Sequence, residues 1–296
     1  MDILRWFSAA LLTAAMPLPQ SAAAAASVLE PSDKWVLNYA DDSCRLARTF
    51  GQGDDQVVLI LDQYQPAGLM DLSLVGKRFG WLGPNRVRFS STFGPGLPSG
   101  DFRDAIMGTV GPAKATIVMS GPRDILNRPM VRKTAGVTDE YFPTTPEQEA
   151  AVTELRIAAS SIRLTLHTGS MGAPLKAMGK CLSDLVQAWE LDPAQQAALS
   201  KRAAPSGQPG SWLTSNDYPP GPLANGASAI VRFRLMVGAD GVPTKCFVQQ
   251  ATMSPEFIKL TCDLLVKRAR FSPALDALGK PVPSYYTNSV RWLASL

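Results

Sequence analysis

A single histidine, His167, stands before Thr168, Gly169 and Ser170, and every other position lacks the commonest neutral-pH base and metal ligand. The run resembles the Asp-Thr-Gly-Ser loop of aspartic proteases, but histidine occupies the place of the essential carboxylate, and that chemistry needs two carboxylates sharing a proton. A nucleophile elbow needs Gly-x-Ser-x-Gly, and Thr168 stands where the first glycine belongs. Serine hydrolysis with His167 as base is therefore the alternative reading, and a structural or surface histidine at a strand end is the main one. Gly94, Pro95 and Gly96 lack the Gly-Lys-Ser/Thr of a phosphate loop and read as a turn. Asp101 and Asp104 have no evident acidic partner, and Met171, Leu175 and Met178 read as core rather than as a ligand box. The expectation is a protein that is not an enzyme, with no catalytic residues, no metal and no cofactor.

The four cysteines carry the remaining chemistry. No Cys-x-x-Cys occurs, so the spacing is not metal-like, and an even set in an exported chain favours two disulfides. Cys44 and Cys181 fall in one half and Cys246 and Cys262 in the other. Pairing within each half is the simplest of three connectivities, which the sequence leaves open. Export itself is read from the leader. Residues 6–16 are apolar behind Arg5, and Pro17, Pro19 and the small stretch 21–27 follow, as in a signal peptide over 1–26 cut near Ala24 to Ala26. A span would need about 20 apolar residues. The periplasm is the expected compartment, with an inner-membrane anchor facing the periplasm as the alternative.

The elements that would position these residues divide into two sets. Of the 296 residues, 29 are basic and 25 acidic, with no cationic run, so no nucleic-acid partner is expected. Strand-like runs occur at 34–39, 44–50, 56–63, 71–79, 86–93, 115–119 and 161–167. One helix is expected over 174–189, where Leu175, Met178, Leu182, Leu185 and Trp189 share a face. The stretch 203–210 (AAPSGQPG) is small and proline-containing, and 203–211 reads as a flexible linker. The fold class is thus α+β. A mainly β N-terminal domain of unknown function, with one long helix, covers 27–202, and a small C-terminal β-β-α-β domain covers 212–296.

In the second domain Val231, Phe233, Leu235 and Val237 alternate with Ile230, Arg232, Arg234 and Met236, the period of a half-buried strand. Asp240-Gly241 supplies a hairpin. Ser254 is a good helix cap before Pro255, and Phe257, Leu260, Leu264 and Leu265 oppose Lys259, Asp263, Lys267 and Arg270. A bond between Cys246 and Cys262 would close a short loop and stabilise by roughly 3 kcal/mol. The last strand, 285–293, has Tyr286, Val290 and Trp292 as its inward set.

Tyr218-Pro219, the alternating strand, Asp240-Gly241, Phe271-Ser272-Pro273-Ala274, Gly279-Lys280-Pro281-Val282 and the closing Val290-Arg291-Trp292 resemble the C-terminal domain of TonB. The resemblance covers 212–296 only. It implies a periplasmic module that binds a short peptide segment of outer-membrane receptors, largely by strand addition, as part of transport across the outer membrane. A three-stranded sheet under one helix has two open edges, which template an incoming strand. If the last strand is an edge, Tyr285, Thr287, Ser289 and Arg291 would flank the guest. Pairing of edges between two copies is the alternative partner. The short linker and the cleavable leader depart from a TonB energy transducer, which needs an anchor and a long spacer, so a membrane-anchored transducer is the second reading.

Overall fold

The computed structural model describes residues 26–294, apart from 68, 83–85, 101, 113, 130–141, 161 and 252–254. The leader up to residue 25, Asp101 and Ser254 lie outside the described residues. The chain is mixed α+β and mainly β, with one large sheet and few helices.

The N-terminal strands are β1 (Ser27–Leu29), β2 (Val36–Tyr39), β3 (Cys44–Phe50), β4 (Val57–Gln63), β5 (Met70–Val75), β6 (Arg86–Gly94), β7 (Arg103–Val110), β8 (Ala115–Arg123), β9 (Glu154–Ala159) and β10 (Ile162–His167). They form one sheet in the order β1-β10-β9-β6-β7-β8-β5-β4-β3-β2, antiparallel except for β1 on β10. Alternation in β3, β4 and β5 places Leu46, Leu59, Leu61, Leu72 and Leu74 in the core. The sheet curls until its ends approach one another. Just past β1, Glu30 O accepts from Gly51 N (2.9 Å), Ser32 N donates to Thr49 O (3.0 Å) and Pro31 bridges Phe50. Closure of this kind removes a free edge.

Against this sheet packs α2 (Gly172–Ala188), with α1 (Pro146–Ala151) packed on α2 and α3 (Pro193–Ala197) following it. Leu175, Met178, Leu182 and Leu185 of α2 are buried, as their spacing requires, and so is Trp189 just beyond it. Cys181 on α2 is bonded to Cys44 on β3, with Cα atoms 6.1 Å apart. Strand boundaries follow the sequence pattern closely at β3, β4, β6 and β10. The run expected over 71–79 ends at Val75, and Lys77–Leu82 turn as a 3-10 helix. Three strands lack a sequence signal. In β7, Gly108 interrupts the alternation, β9 ends in two alanines, and β1 is too short to show a period.

The C-terminal unit contains β11 (Ala204–Pro205), α4 (Pro220–Ala224), β12 (Ala229–Val237), β13 (Pro243–Ala251), α5 (Pro255–Arg268), β14 (Phe271–Ser272), β15 (Ala274–Leu275), β16 (Pro281–Val282) and β17 (Ser284–Trp292). Its three-stranded sheet runs β13-β12-β17, antiparallel throughout. At the β12–β13 turn, Gly241 adopts a φ of +79°, and a Cβ there would meet Phe271 O at 2.1 Å, so only glycine fits. The helix α5 packs on β13 and β12, and Cys262 is bonded to Cys246, with Cα atoms 5.4 Å apart.

The buried stripe of α5 is Phe257, Thr261 and Leu265, whereas Leu260 and Leu264 are only partly covered. Thr261, a polar residue in the core, accepts from Trp292 Nε1 at 3.0 Å, which satisfies both groups. Tyr286 packs on Phe233 and Phe271, and Trp292 on Phe257, so the inward set of the last strand faces the helix side.

The stretch expected as a flexible linker is docked. Ala203 is buried in the C-terminal core, Ala204 and Pro205 pair with Ser272 and Phe271, and Ser206 N donates to Arg270 O (2.9 Å). Small residues read as a spacer in sequence, yet they also let two backbones approach closely enough to exchange hydrogen bonds. Two disulfides indicate an oxidising, extracytoplasmic compartment. Among the described residues no helix is long and apolar enough to cross a membrane.

Candidate functional site

The face of the small sheet opposite α5 is where sequence and structure part. Strand alternation sends Arg232 and Arg234 away from the helix, toward apparent solvent. Both are instead covered by the N-terminal unit. Arg232 Nη2 pairs with Asp71 Oδ2 (2.8 Å) and its guanidinium lies 4.4 Å from the Tyr64 ring centroid. Arg234 Nη1 pairs with Asp42 Oδ1 (2.6 Å), and its guanidinium sits between Trp189 (4.1 Å) and Phe247 (4.5 Å). Gln249 Nε2 donates to Asp42 O and Tyr64 O, and Tyr64 donates to Gln250 Oε1. The N-terminal unit thus supplies the second layer that a one-helix sheet lacks.

This junction shifts the groups inside it. Burial raises the Asp71 carboxyl above its ordinary value, more than the Arg232 charge lowers it. Burial also pushes the Tyr64 phenol up. The Arg234 guanidinium is lowered by burial, against the pull of Asp42.

Of the four residues expected to flank a guest strand, two belong to this junction. Tyr285 is buried edge-on against Trp189, with ring centroids 5.0 Å apart, and Thr287 donates to Gln65 Oε1 (2.8 Å). Their side chains face the N-terminal unit and are not offered to a partner. Ser289 and Arg291 lie past it and are exposed. The strand itself remains an edge: among the described residues β17 has a ladder partner, β12, on one side only, and β13 likewise pairs only with β12.

Beside the end of β17 runs a strap, residues 212–218, held by three devices. Trp212 packs on Phe271 and Tyr286. Arg268 makes two bonds to Asp217 (2.7 and 2.9 Å) and one to Trp212 O (3.0 Å). Tyr218 donates to Ala227 O and stands edge-on to both Phe257 and Trp292. The bonds from Arg268, with those from Thr214, hold the Asp217 carboxyl well below the usual carboxylate range. Between strap and strand opens a groove of about 410 Å³, lined by Leu213, Tyr218, Leu223, Val290, Arg291 and Leu293 among others. Leu223 and Leu293 are exposed there, and Arg291 makes no ion pair among the described residues. Such a groove can take an apolar side chain from a chain running along the edge. Sequence reasoning missed the strap, because its pattern shows only Tyr218-Pro219 and no periodicity.

His167 closes the β10 ladder, with Nδ1 2.5 Å from Oε1 of Glu30, the residue just past the neighbouring strand β1. Ser170 Oγ donates to Ala150 O (3.0 Å), and no hydrogen bond joins it to His167 among the described residues. Asp104 is exposed on β7. Among the described residues no cluster of His, Cys, Asp and Glu is placed to hold a metal ion.

No known protein-family model matches the chain, and neither a curated protein nor a solved structure matches it.

Proposed function

We propose that the C-terminal unit is a protein-binding module of the TonB C-terminal type, acting in the periplasm. Its guest is a short extended segment of another envelope protein, of the kind an outer-membrane receptor presents, added along the outer edge of β17. The observation that carries this reading is the coincidence of an unpaired strand edge with the groove between β17 and the 212–218 strap. Main-chain hydrogen bonds would supply affinity and the groove would supply side-chain preference. Ser289 and Arg291 flank the guest, while Tyr285 and Thr287 hold the sheet on its frame. The role of the N-terminal unit in this reading is mechanical: it fixes the sheet so that one edge faces outward. No step of bond making or breaking is assigned to the protein.

The test uses the full chain, because residues 212–296 alone would expose a face that is normally covered. A photo-crosslinking side chain at Ser289 is compared with one at Lys259, exposed on α5. Capture of an envelope protein from position 289 but not 259, with slowed amide exchange over 288–292 in the presence of the captured segment, is the expected result. Equal capture from both positions overturns the reading. A crosslink from 289 to a second copy of the chain replaces the peptide by a dimer through the edge.

A further inference from the structure

The large sheet presents two different outer faces. On β9 and β10 the positions that point away from the core carry Glu154, Arg156, Arg163, Thr165 and His167, the composition of a solvated face. On β4, β5, β8 and β7 the equivalent positions are apolar. Val58 stands opposite Val75, Val75 opposite Ile117, and Met119 opposite Ile106. Their neighbours in the chain, such as Leu59, Leu74 and Val118, are the ones that enter the core. Gly108, opposite Ile117, has no side chain, and the place its Cβ would take lies 3.5 Å from Ile117 Cγ2 and 3.8 Å from Met119 Cε, so the apolar stretch continues across the gap. Ile106, Val110 and Met119 are 45%, 43% and 37% exposed. Among the described outward side chains of this stretch, Ser73 is the one polar group.

Single apolar residues on a surface need no account, but a contiguous patch marks an interaction site. Its setting narrows the occupant. The face is continuous with a surface that already buries part of this chain: two positions before Ser73 on β5 is Asp71, on which Arg232 of the C-terminal unit is seated. Among the described side chains that border it, charges mostly offset one another. Lys77 pairs with Asp54 and Arg78 with Asp55, and Arg88 stands across from Asp104, which leaves Lys114 on the β7–β8 turn. An anionic membrane would call for a cluster of cations, and a charged partner for a complementary field. Four strands by three alternate positions span about 20 Å by 20 Å. Two such faces laid together would bury on the order of 1,000 Å², the least that a specific interface needs. A face without charge is complementary to itself, as a two-fold contact requires.

We propose that a second copy of the chain covers this face, sheet against sheet about a two-fold axis, in a weak dimer centred on Ile106, Ile117 and Met119. The proposal is independent of strand addition at β17, which uses a backbone edge of the other unit.

The test is sedimentation velocity of the full chain over a concentration series. A reversible monomer–dimer equilibrium is expected, with Ile106→Asp raising its dissociation constant at least ~10-fold. Thr165→Asp, on the charged face of β10, should leave it unchanged. A photo-crosslinking side chain at Met119 should join two copies, and this decides the matter if Ile106→Asp alters the circular dichroism. A chain that stays monomeric up to about 1 mM overturns the proposal, as does a dimer that crosslinks from position 289 but not from 119. Crosslinking from 119 to a different envelope protein alone, or flotation with phosphatidylglycerol vesicles that Ile106→Asp abolishes, gives the face to another occupant and overturns it too.

Discussion

The two units solve the same problem, a sheet with one helix on it, in different ways. Each is tied by one disulfide between a strand and its helix. The large sheet curls and joins its own ends through Glu30, Ser32 and Pro31, so its core is enclosed by its own strands and α2. The small sheet has three strands, too few to curl round, and it buries its second face by lending Arg232, Arg234, Tyr285 and Thr287 to the neighbour. Size decides between them: a small unit buries proportionally less of its surface, and so depends on a staple or a partner layer. The difference also bears on the proposed binding role. A closed sheet has little backbone to offer, whereas the docked one keeps an outward edge at β17.

The comparison is broken most severely by removing the staples. Replacing Cys44 and Cys181 by alanine opens a cross-link spanning 137 residues and is expected to cost about 5 kcal/mol, against about 3 for Cys246 and Cys262, which span 16. Urea unfolding of the two double variants would measure this, and the order of the two losses is the point at issue.

A smaller effect is expected at the junction. Asp42→Ala leaves Arg234 buried without a carboxylate and should cost about 3 kcal/mol, because an unpaired buried charge is worse than no charge. Calorimetry should then show the single unfolding transition split in two, the C-terminal unit melting first. Adding Arg234→Met to Asp42→Ala should recover most of the loss. A double variant no better than the single would show that packing on Trp189 and Phe247, not charge, holds the junction.

The smallest effect is the pH response, and the two regions should tilt oppositely. Asp217 is lowered in the folded protein, so its contribution is present at neutral pH and is lost as pH falls below the ordinary carboxylate value of about 3.9. Asp71 is raised, so the folded state binds its proton more tightly than the unfolded chain does, and its contribution improves as pH falls. Asp217→Asn should therefore flatten the acid-side loss of stability, and Asp71→Asn should steepen it. Urea midpoints at neutral and acid pH check both signs.

The sequence by itself determined the local features: the alternation of β12, the Asp240-Gly241 reversal, the apolar face of α2 and the existence of two sulfur pairs. These are set by period, turn chemistry and residue type, all readable within a few positions. It also made β7 and β9 obscure, since neither has a complete alternating pattern. Only the tertiary structure decided that the polar face of β12 is buried. Arg232 and Arg234 look solvated because arginine usually is, and their partners, Asp71 and Asp42, come from distant parts of the chain. For the same reason Tyr285 and Thr287 left the expected binding set while Ser289 and Arg291 stayed exposed. A strand's period fixes which residues share a face, but what covers that face depends on surfaces brought together from far along the chain.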